Sequence, residues 1–362
     1  MVESSRRALV LLHLYSLHSI ALRPRIRVAD EPLILSAWPR DHRCKPGLSP
    51  IGRPQADDTM RMTALFFAYL FACFLLAALL TYPLMMTGWI TIDAHRVMGR
   101  LAQLFILAGL WPLLAFLRLN DRAVLGYRPT GAFMLRRIGL GWLVGLAILG
   151  ALVAVLMILD VRVLDPGVVI WPDLVEKGIQ ALIGGLLIGV LEETFFRGAL
   201  YTAIRGRSGV RSAVLWSSAL YAALHFMKPG ALPDGMVFDW SGALWMFVHA
   251  FIDLFQWKNL DSLIALFAVG VFLSLVRERS GHIGWCIGMH AGWVFAIQMT
   301  RRISDGNPSS DFGFLVGDYD GTIGWLAAVW IGSLAVLFWW LSSRPGDRAD
   351  SASDGPRQGD GG

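Results

Sequence analysis

The stretch "GLLIGVLEETFFRGALY", residues 185–201, places three charged side chains in a segment that is otherwise apolar. They are Glu192, Glu193 and Arg197. An ionisable side chain near the centre of a bilayer costs roughly 2.5–3.5 kcal/mol on insertion scales. The group could be an ion-pair cluster that packs helices, but two carboxylates against one guanidinium leave an excess acid. That excess favours a functional site.

The composition identifies the environment of this stretch. Of the 362 residues, 55% are hydrophobic and only 16% are charged, and the mean hydropathy is +0.54. Soluble domains carry about 25% charged residues, so we predict a membrane protein. Three widely separated cysteines exclude a disulfide framework and a CxxC site. No nucleic-acid motif is present and the +5 formal charge is spread over short loops, so we expect no nucleic-acid partner.

The fold class that we predict is all-α, a polytopic membrane helix bundle of about eight transmembrane helices with disordered termini. The transmembrane domain covers 60–342, with its motif core at 179–299. The polar C-terminal segment 343–362 is predicted to be disordered, and so is 1–59, unless translation starts at Met60 or Met62. The predicted spans are 64–86, 101–118, 137–159, 179–203, 211–227, 262–276, 282–299 and 324–342.

The distribution of arginine predicts the orientation of these spans. Arginines are concentrated in the connections 118–137, 204–211 and 277–281, whereas 160–178 and 300–323 hold more acids than bases. The positive-inside rule therefore places both termini in the cytoplasm. Segment 243–257 is short and aromatic, and a ninth crossing there would reverse every later loop. We interpret it as an interfacial or re-entrant helix.

Helix geometry separates the two glutamates. Residues four apart share a helix face, so Glu193 and Arg197 form an ion pair with the acid N-terminal to the base, the favourable order. Glu192 points about 100° away and has no partner in its own helix. Gly185 and Gly189 lie on the stripe of Glu193, which predicts a closely packed neighbouring helix there.

Two histidines lie in other apolar spans. "SSALYAALHF" places His225 on one face with Tyr221, and "GHIGWCIGMHAGWVF" places His290 within a span. Glycines 284, 288 and 292 form a ridge roughly opposite His290, which predicts close packing on that side. At about 1.5 Å rise per residue, Glu192, His225 and His290 all fall near the middle third of the bilayer. One shared site is therefore expected.

These residues carry a resemblance to a known family. "EETFFR" resembles the EExxxR motif of the CAAX prenyl endopeptidase and bacteriocin-processing (CPBP) family of intramembrane proteases. "YAALH" resembles its FxxxH motif, and "GMHAGWVF" resembles its third motif, usually HxxxN. Order, spacing and flanks agree from Gly185 to Phe295, which is more specific than EExxxR alone.

The resemblance implies an intramembrane endopeptidase in which Glu192 activates the attacking water. Glu193 and Arg197 would position Glu192, and His225 and His290 would bind the water, a metal or the developing oxyanion. A metalloprotease would hold zinc on Glu192, His225 and His290, an acceptable ligand set. A desolvated Glu192 could instead serve as base without a metal, and the absence of HExxH leaves both mechanisms open.

The resemblance also implies the setting in which the enzyme works. The expected partners are membrane lipid and a hydrophobic or lipidated, CAAX-like peptide substrate. The expected location is a bacterial inner membrane.

Two positions depart from the family pattern. Tyr221 replaces phenylalanine, which adds a hydroxyl near His225, and Val294 replaces the usual asparagine. Losing one oxyanion donor costs other hydrolases about 2.7–4 kcal/mol. His249 or Asn259 could supply a donor from the ambiguous segment, whereas Gln298 lies ~12 Å from His290 along the axis.

Val294 therefore motivates an alternative function, a weakened or inactive membrane scaffold or immunity-type protein of the same fold. A transporter with intramembrane acids is a third possibility. The sequence shows no repeat between its halves, which counts against that possibility.

Overall fold

The computed structural model of the chain describes residues 56–167 and 173–343. The predicted disordered tail beyond 343 and residues 1–55 of the predicted N-terminal extension lie outside these ranges, so their disorder remains a prediction. The first helix begins at Ala56, four residues before the predicted start of the transmembrane domain.

The described ranges are almost entirely helical. The α-helices are α1 (Ala56–Met86), α2 (Ala94–Phe116), α3 (Ala132–Ile158), α4 (Asp173–Glu193), α5 (Tyr201–Phe226), α6 (Trp240–Ile252), α7 (Leu260–Ser280), α8 (Gly284–Ile303) and α9 (Trp325–Ser343). A π-helical segment, Thr194–Leu200, joins α4 to α5. Two short strands, β1 (Arg162–Leu164) and β2 (Ser304–Gly306), pair antiparallel. The all-α fold class is confirmed.

Six stretches in the described ranges are long and apolar enough to cross a membrane. One of them, Asp173–Phe226, contains two of the predicted spans. It is divided at Gly209, whose φ of 81° and ψ of 177° are not helical and suit a residue without a side chain. Seven of the eight predicted spans thus fall in these stretches. The eighth, 282–299, forms α8 but is not among them, because glycines, His290 and terminal arginines lower its hydropathy.

Helix α8 lies at the centre of the bundle, against α3 and α4. A Cβ on Gly292 would lie 2.5 Å from the carbonyl oxygen of Trp142 on α3. A Cβ on Gly189 of α4 would lie 2.9 Å from the carbonyl oxygen of Ile287. The predicted close contacts of both glycine ridges are therefore confirmed, and they hold the helices that carry Glu192 and His290 together.

The two predicted groups of connections, arginine-rich and acid-rich, lie at opposite ends of the bundle. At one end, Arg205 pairs with Glu278 at 2.7 Å and the amide of Ile283 donates to the carbonyl of Gly126. At the other end, β1 pairs with β2 and Arg302 pairs with Asp173. The arginine-rich connections therefore share one end, as an alternating membrane topology requires.

Segment 243–257 lies mostly in α6, a 13-residue apolar helix that packs on α1. Two 3-10 turns, Asp253–Phe255 and Trp257–Asn259, follow it before α7 begins. At this length α6 is not among the candidate spans, in agreement with the interpretation as a helix that does not cross.

Candidate active site

Two carboxylates at the C-terminal end of α4 occupy different environments. The Glu193 side chain has no exposed surface, whereas that of Glu192 is 33% exposed. The side chains diverge because consecutive helical residues point about 100° apart. Glu192 is therefore the carboxylate that a small molecule can reach.

Glu193 is held by two positively polarised groups. Its Oε1 accepts a hydrogen bond from Arg197 Nη1 at 3.0 Å and another from His290 Nδ1 at 2.7 Å. The pair with Arg197 was expected from the sequence, but the bond to His290, 97 residues further along the chain, was not. Glu193 therefore neutralises a buried arginine and orients a histidine.

Arg197 is fully buried and has further contacts. Its Nη2 donates to the carbonyl of Gly270 on α7 at 3.3 Å, and its guanidinium carbon lies 4.5 Å from the centre of the Tyr221 ring. Burying a charge is tolerable when it is paired and hydrogen-bonded. These contacts fix the π-helical segment against α5 and α7.

Each histidine is oriented by a bond from its Nδ1 atom. His225 Nδ1 donates to the carbonyl of Tyr221 at 2.8 Å, and His290 Nδ1 donates to Glu193. In the neutral imidazoles, each Nε2 atom is then an acceptor. Such a bond to Nδ1 sets the tautomer and aims Nε2 into the site.

Both Nε2 atoms face Glu192. Its Oε2 lies 3.9 Å from Nε2 of His225 and 3.7 Å from Nε2 of His290. These distances are too long for direct hydrogen bonds. The same Oε2 atom is buried and has no hydrogen-bond partner among the described residues. The three groups surround a space suited to one small bridging species.

The donor types, one carboxylate and two neutral imidazoles, suit zinc. Within 56–167 and 173–343, however, no three His, Cys, Asp or Glu side chains are grouped closely enough to form a metal site. The predicted zinc set of Glu192, His225 and His290 therefore stays a prediction.

Two residues that the sequence analysis did not select lie beside His225. The Tyr319 ring centre is 6.4 Å from that of His225, and the Tyr319 hydroxyl accepts a hydrogen bond from Lys228 Nζ at 3.0 Å. Burial raises the pKa of the Tyr319 hydroxyl, and the carboxylates of Asp320 and Glu192 raise it further. The hydroxyl is therefore protonated at neutral pH. No sequence motif marks these two residues, which reach the site only through the fold.

The predicted alternative donors have other hydrogen-bond partners or other surroundings. His249 is stacked on Trp245 at 3.7 Å, and its Nδ1 donates to the carbonyl of the same residue. The side chain of Asn259 donates to the carbonyl of Asp253. Val294 packs toward α4, where a Cβ on Gly185 would lie 3.5 Å from the Val294 Cβ. Gln298 is exposed.

Residues 175–296 match the family model of the type II CAAX prenyl endopeptidase Rce1-like proteins. The Rce1-like match covers about a third of the chain and includes all five clustered residues. It confirms the resemblance drawn from the three motifs. Together with the six candidate spans, the Rce1-like segment indicates an integral, multi-pass membrane protein with a CAAX-protease type of fold.

No curated protein and no solved structure gives a significant match to the chain. The roles of the individual site residues therefore rest on the geometry described above.

Proposed function

We propose that this protein is an intramembrane endopeptidase in which Glu192 activates the water that attacks a peptide carbonyl. The observation that carries the proposal is the convergence of two imidazole Nε2 atoms on the unpaired Oε2 of Glu192, at 3.9 and 3.7 Å. The Rce1-like match supports a protease at the general level.

A water molecule between these groups would be oriented for attack. It donates one hydrogen to Glu192 Oε2 and the other to an imidazole Nε2, because all three atoms are acceptors. Its oxygen lone pairs then point away from the two atoms to which it donates, and one of them is available to attack a substrate carbonyl. Glu192 is partly exposed and so can meet a bound peptide.

The reaction follows from this arrangement. As the water oxygen bonds to the carbonyl carbon, Glu192 takes one proton from the water by general-base catalysis. The protonated Glu192 then gives that proton to the leaving nitrogen as the carbon–nitrogen bond breaks. The products are a carboxyl group and an amine, and Glu192 returns to its ionised form.

Glu193 and Arg197 act through their neighbours and not on the substrate. Glu193 has no exposed surface, so its part is to keep the Nδ1 proton of His290 in place and Nε2 free. Arg197 compensates the charge of Glu193 and ties the segment to Gly270. Both are positioning residues.

The binding of a zinc ion is a separate part of the proposal, which the fold alone does not decide. Glu192, His225 and His290 would hold it, and zinc would lower the pKa of a water molecule to near neutrality. Metal analysis of the purified wild-type protein beside its Glu192→Gln and His225→Gln variants decides whether a metal is present and held by these residues.

The substrate class that we propose is a membrane-associated hydrophobic or lipidated peptide, CAAX-like or otherwise. The catalytic residues lie on helices with lipid-exposed apolar surfaces, such as Leu187 of α4 at 59% exposure. A peptide must therefore approach from within or along the membrane. We further propose that both termini are cytoplasmic, because the arginine-rich connections share one end of the bundle. The bacterial inner membrane is proposed from the family resemblance alone.

The test is hydrolysis in proteoliposomes of two quenched fluorescent probes, a farnesylated peptide ending in CAAX and an unlipidated hydrophobic peptide. Replacing Glu192 with Gln should lower kcat by about 10²–10⁴-fold, the usual range for a general base. Glu176→Gln, on the exposed first turn of the same helix, is the matched control and should keep the wild-type rate. Hydrolysis by Glu192→Gln at the wild-type rate would show that Glu192 has another role.

The second candidate is the inactive scaffold, and the apolar packing of Val294 favours it. No asparagine faces the site from this position, so an oxyanion donor is missing there unless another residue provides one. Val294→Asn distinguishes the two functions. A large gain in hydrolysis of the same probes would identify a degenerate site, and an unchanged rate in an active protein would identify another donor.

A further inference from the structure

A cavity of about 790 Å³ reaches the π-helical segment at Thr194. Its wall is formed by α2, the 117–131 connection and the start of α3, and none of Glu192, His225 and His290 lines it. Most of the wall is apolar, with Leu107, Trp111 and Leu135 as examples. Its size is within the range of ligand sites, about 300–1,000 Å³.

The cavity lies between two helices that pack mainly on different partners. Helix α2 packs mainly on α1, and α3 mainly on α8. Trp111 and Leu135, one from each helix, are 64% and 70% exposed. Leu107 lies roughly 14 Å from Phe116 along α2 at about 1.5 Å of rise per residue. The apolar wall therefore extends from the end of the membrane span into the hydrocarbon layer. This is also the direction in which a phospholipid acyl chain extends.

One charged side chain, Arg122, lines the cavity. Arg122 is exposed, so it lies where the cavity opens. Among the described residues, no carboxylate forms an ion pair with Arg122, and the adjacent Asp121 accepts a hydrogen bond from the backbone amide of Ala123. An arginine at the end of a membrane span attracts an anionic headgroup by about 1 kcal/mol near the surface.

The floor of the cavity touches the catalytic segment. Thr194, the residue after Glu193, donates to the carbonyl of Val190 and accepts a hydrogen bond from the Tyr127 hydroxyl. Both Tyr127 and Thr194 line the cavity. An occupant would therefore contact the segment that carries the glutamate pair.

We propose that this cavity binds one anionic phospholipid, with an acyl chain along α2 and α3 and the phosphate at Arg122. An amphiphile with one negative charge matches this cavity. The cavity combines an apolar interior, a lipid-facing opening and an unpaired arginine at its mouth. The proposal goes beyond the proteolytic function and does not depend on it.

The test is photo-cross-linking of the full chain in detergent with phosphatidylglycerol that carries a photoreactive acyl chain. Phosphatidylcholine with the same acyl chain is the neutral comparison, and the cross-linked peptides are mapped by mass spectrometry. We expect phosphatidylglycerol to label residues 107–135 preferentially and phosphatidylcholine to label them less.

Two pairs of variants separate the cavity from its surroundings. Arg122→Gln should weaken phosphatidylglycerol labelling about fivefold, whereas Arg128→Gln, in the same connection but outside the lining, should change it by less than about twofold. Leu107→Trp should obstruct the cavity and reduce labelling, whereas Leu104→Trp, on the lipid-facing surface of the same helix, should not. Circular dichroism and size-exclusion profiles establish that each variant is folded.

Three results would overturn the lipid assignment. They are equal labelling by both lipids, equal losses in Arg122→Gln and Arg128→Gln, and labelling of the wild type only at residues other than 107–135 and Thr194. Displacement of phosphatidylglycerol by the unlabelled farnesylated peptide would assign the cavity to the substrate's lipid group and would equally overturn it. Glu192→Gln should bind the lipid as the wild type does, so a failed lipid site and a failed protease are distinguishable.

Discussion

Arg197 and Glu193 form an ion pair whose side chains are only 1% and 0% exposed. Removing one partner of a buried pair leaves the other charge uncompensated, which typically costs about 3–5 kcal/mol. Arg197→Ala should therefore lower the free energy of unfolding by about that amount, measured by denaturation in detergent. Arg96→Ala breaks an exposed pair with Asp93 and should cost at most about 1 kcal/mol. Similar losses in both variants would contradict the buried pairing.

His282 lies in the short loop between α7 and α8, outside the candidate spans. Burial, helped by the positive charges of Arg137 and Arg277, lowers the pKa of His282 to about 4. The unfolded chain binds this proton near pH 6.5 and the folded chain only near pH 4, so the His282 contribution to stability is lost as the pH falls through that window. The loss is about 3 kcal/mol at most, at about 1.4 kcal/mol per pKa unit.

The measurement is the difference in unfolding free energy between wild type and His282→Gln from pH 7 to pH 4. Glutamine can still accept the hydrogen bond that the Gly284 amide gives to His282 Nδ1. The wild type should lose stability on acidification relative to the variant. A difference that is constant across this range would show that His282 is protonated equally in both states.

For single residues, the sequence predicts contacts between residues that are close in the chain. The pair of Glu193 with Arg197 follows from four-residue spacing on one helix. The bond of Glu193 to His290 joins residues of two helices far apart in the chain, so spacing cannot reveal it. Tyr319 and Lys228 are inaccessible to sequence reasoning for the same reason.

At the scale of whole helices, the close contact between α3 and α8 requires glycine at particular positions. A Cβ on Gly145 would lie 2.7 Å from the Cα of Met289, whereas one on Gly150 of the same helix would meet nothing within 4 Å. Gly145→Ala should therefore destabilise the protein by about 1–3 kcal/mol, the usual cost of overpacking. Gly150→Ala should be neutral or slightly stabilising, since alanine favours a helix.

Thermal unfolding of the two glycine variants checks this prediction. Equal melting temperatures would mean that α3 and α8 do not pack as closely as the structure has them. Reduced hydrolysis by Gly145→Ala is also expected, because α8 carries His290.

In this protein the sequence predicts where the helices lie better than it predicts which kind of helix they form. The span 179–203 reads from its sequence as one regular helix, yet it contains the π-helical turn Thr194–Leu200 directly after the glutamate pair. π-Helical turns are frequent at functional sites. Arg197 in this turn contacts Tyr221 of α5 and Gly270 of α7, and apolar periodicity does not predict such tertiary contacts.

The whole molecule should present its connections on two sides of the membrane. The arginine-rich end holds 118–137 and 277–281, and the opposite end holds 300–323. In a background whose cysteines are replaced, a membrane-impermeant thiol reagent should label Arg128→Cys and Asp311→Cys from opposite sides of sealed vesicles. Labelling of both from one side would contradict the alternating arrangement of the spans.

The number of spans shows how much of the fold can be predicted from composition alone. Hydropathy finds the helices whose side chains are mostly apolar, including the half-buried α7. It undervalues α8, whose glycines, histidine and tryptophans face other helices rather than lipid. The helix that carries His290 is thus one that hydropathy does not identify as a membrane span.

The central claim is that Glu192 and the two imidazoles act on one shared water. It is tested most directly by the kcat of Glu192→Gln, His225→Gln and the double variant with the quenched farnesylated peptide. Residues that act as a unit have strongly non-additive effects. Each single change should be damaging, and the kcat of the double variant should be within about threefold of that of Glu192→Gln alone. Losses that multiply, or hydrolysis by Glu192→Gln at the wild-type rate, would contradict a shared water.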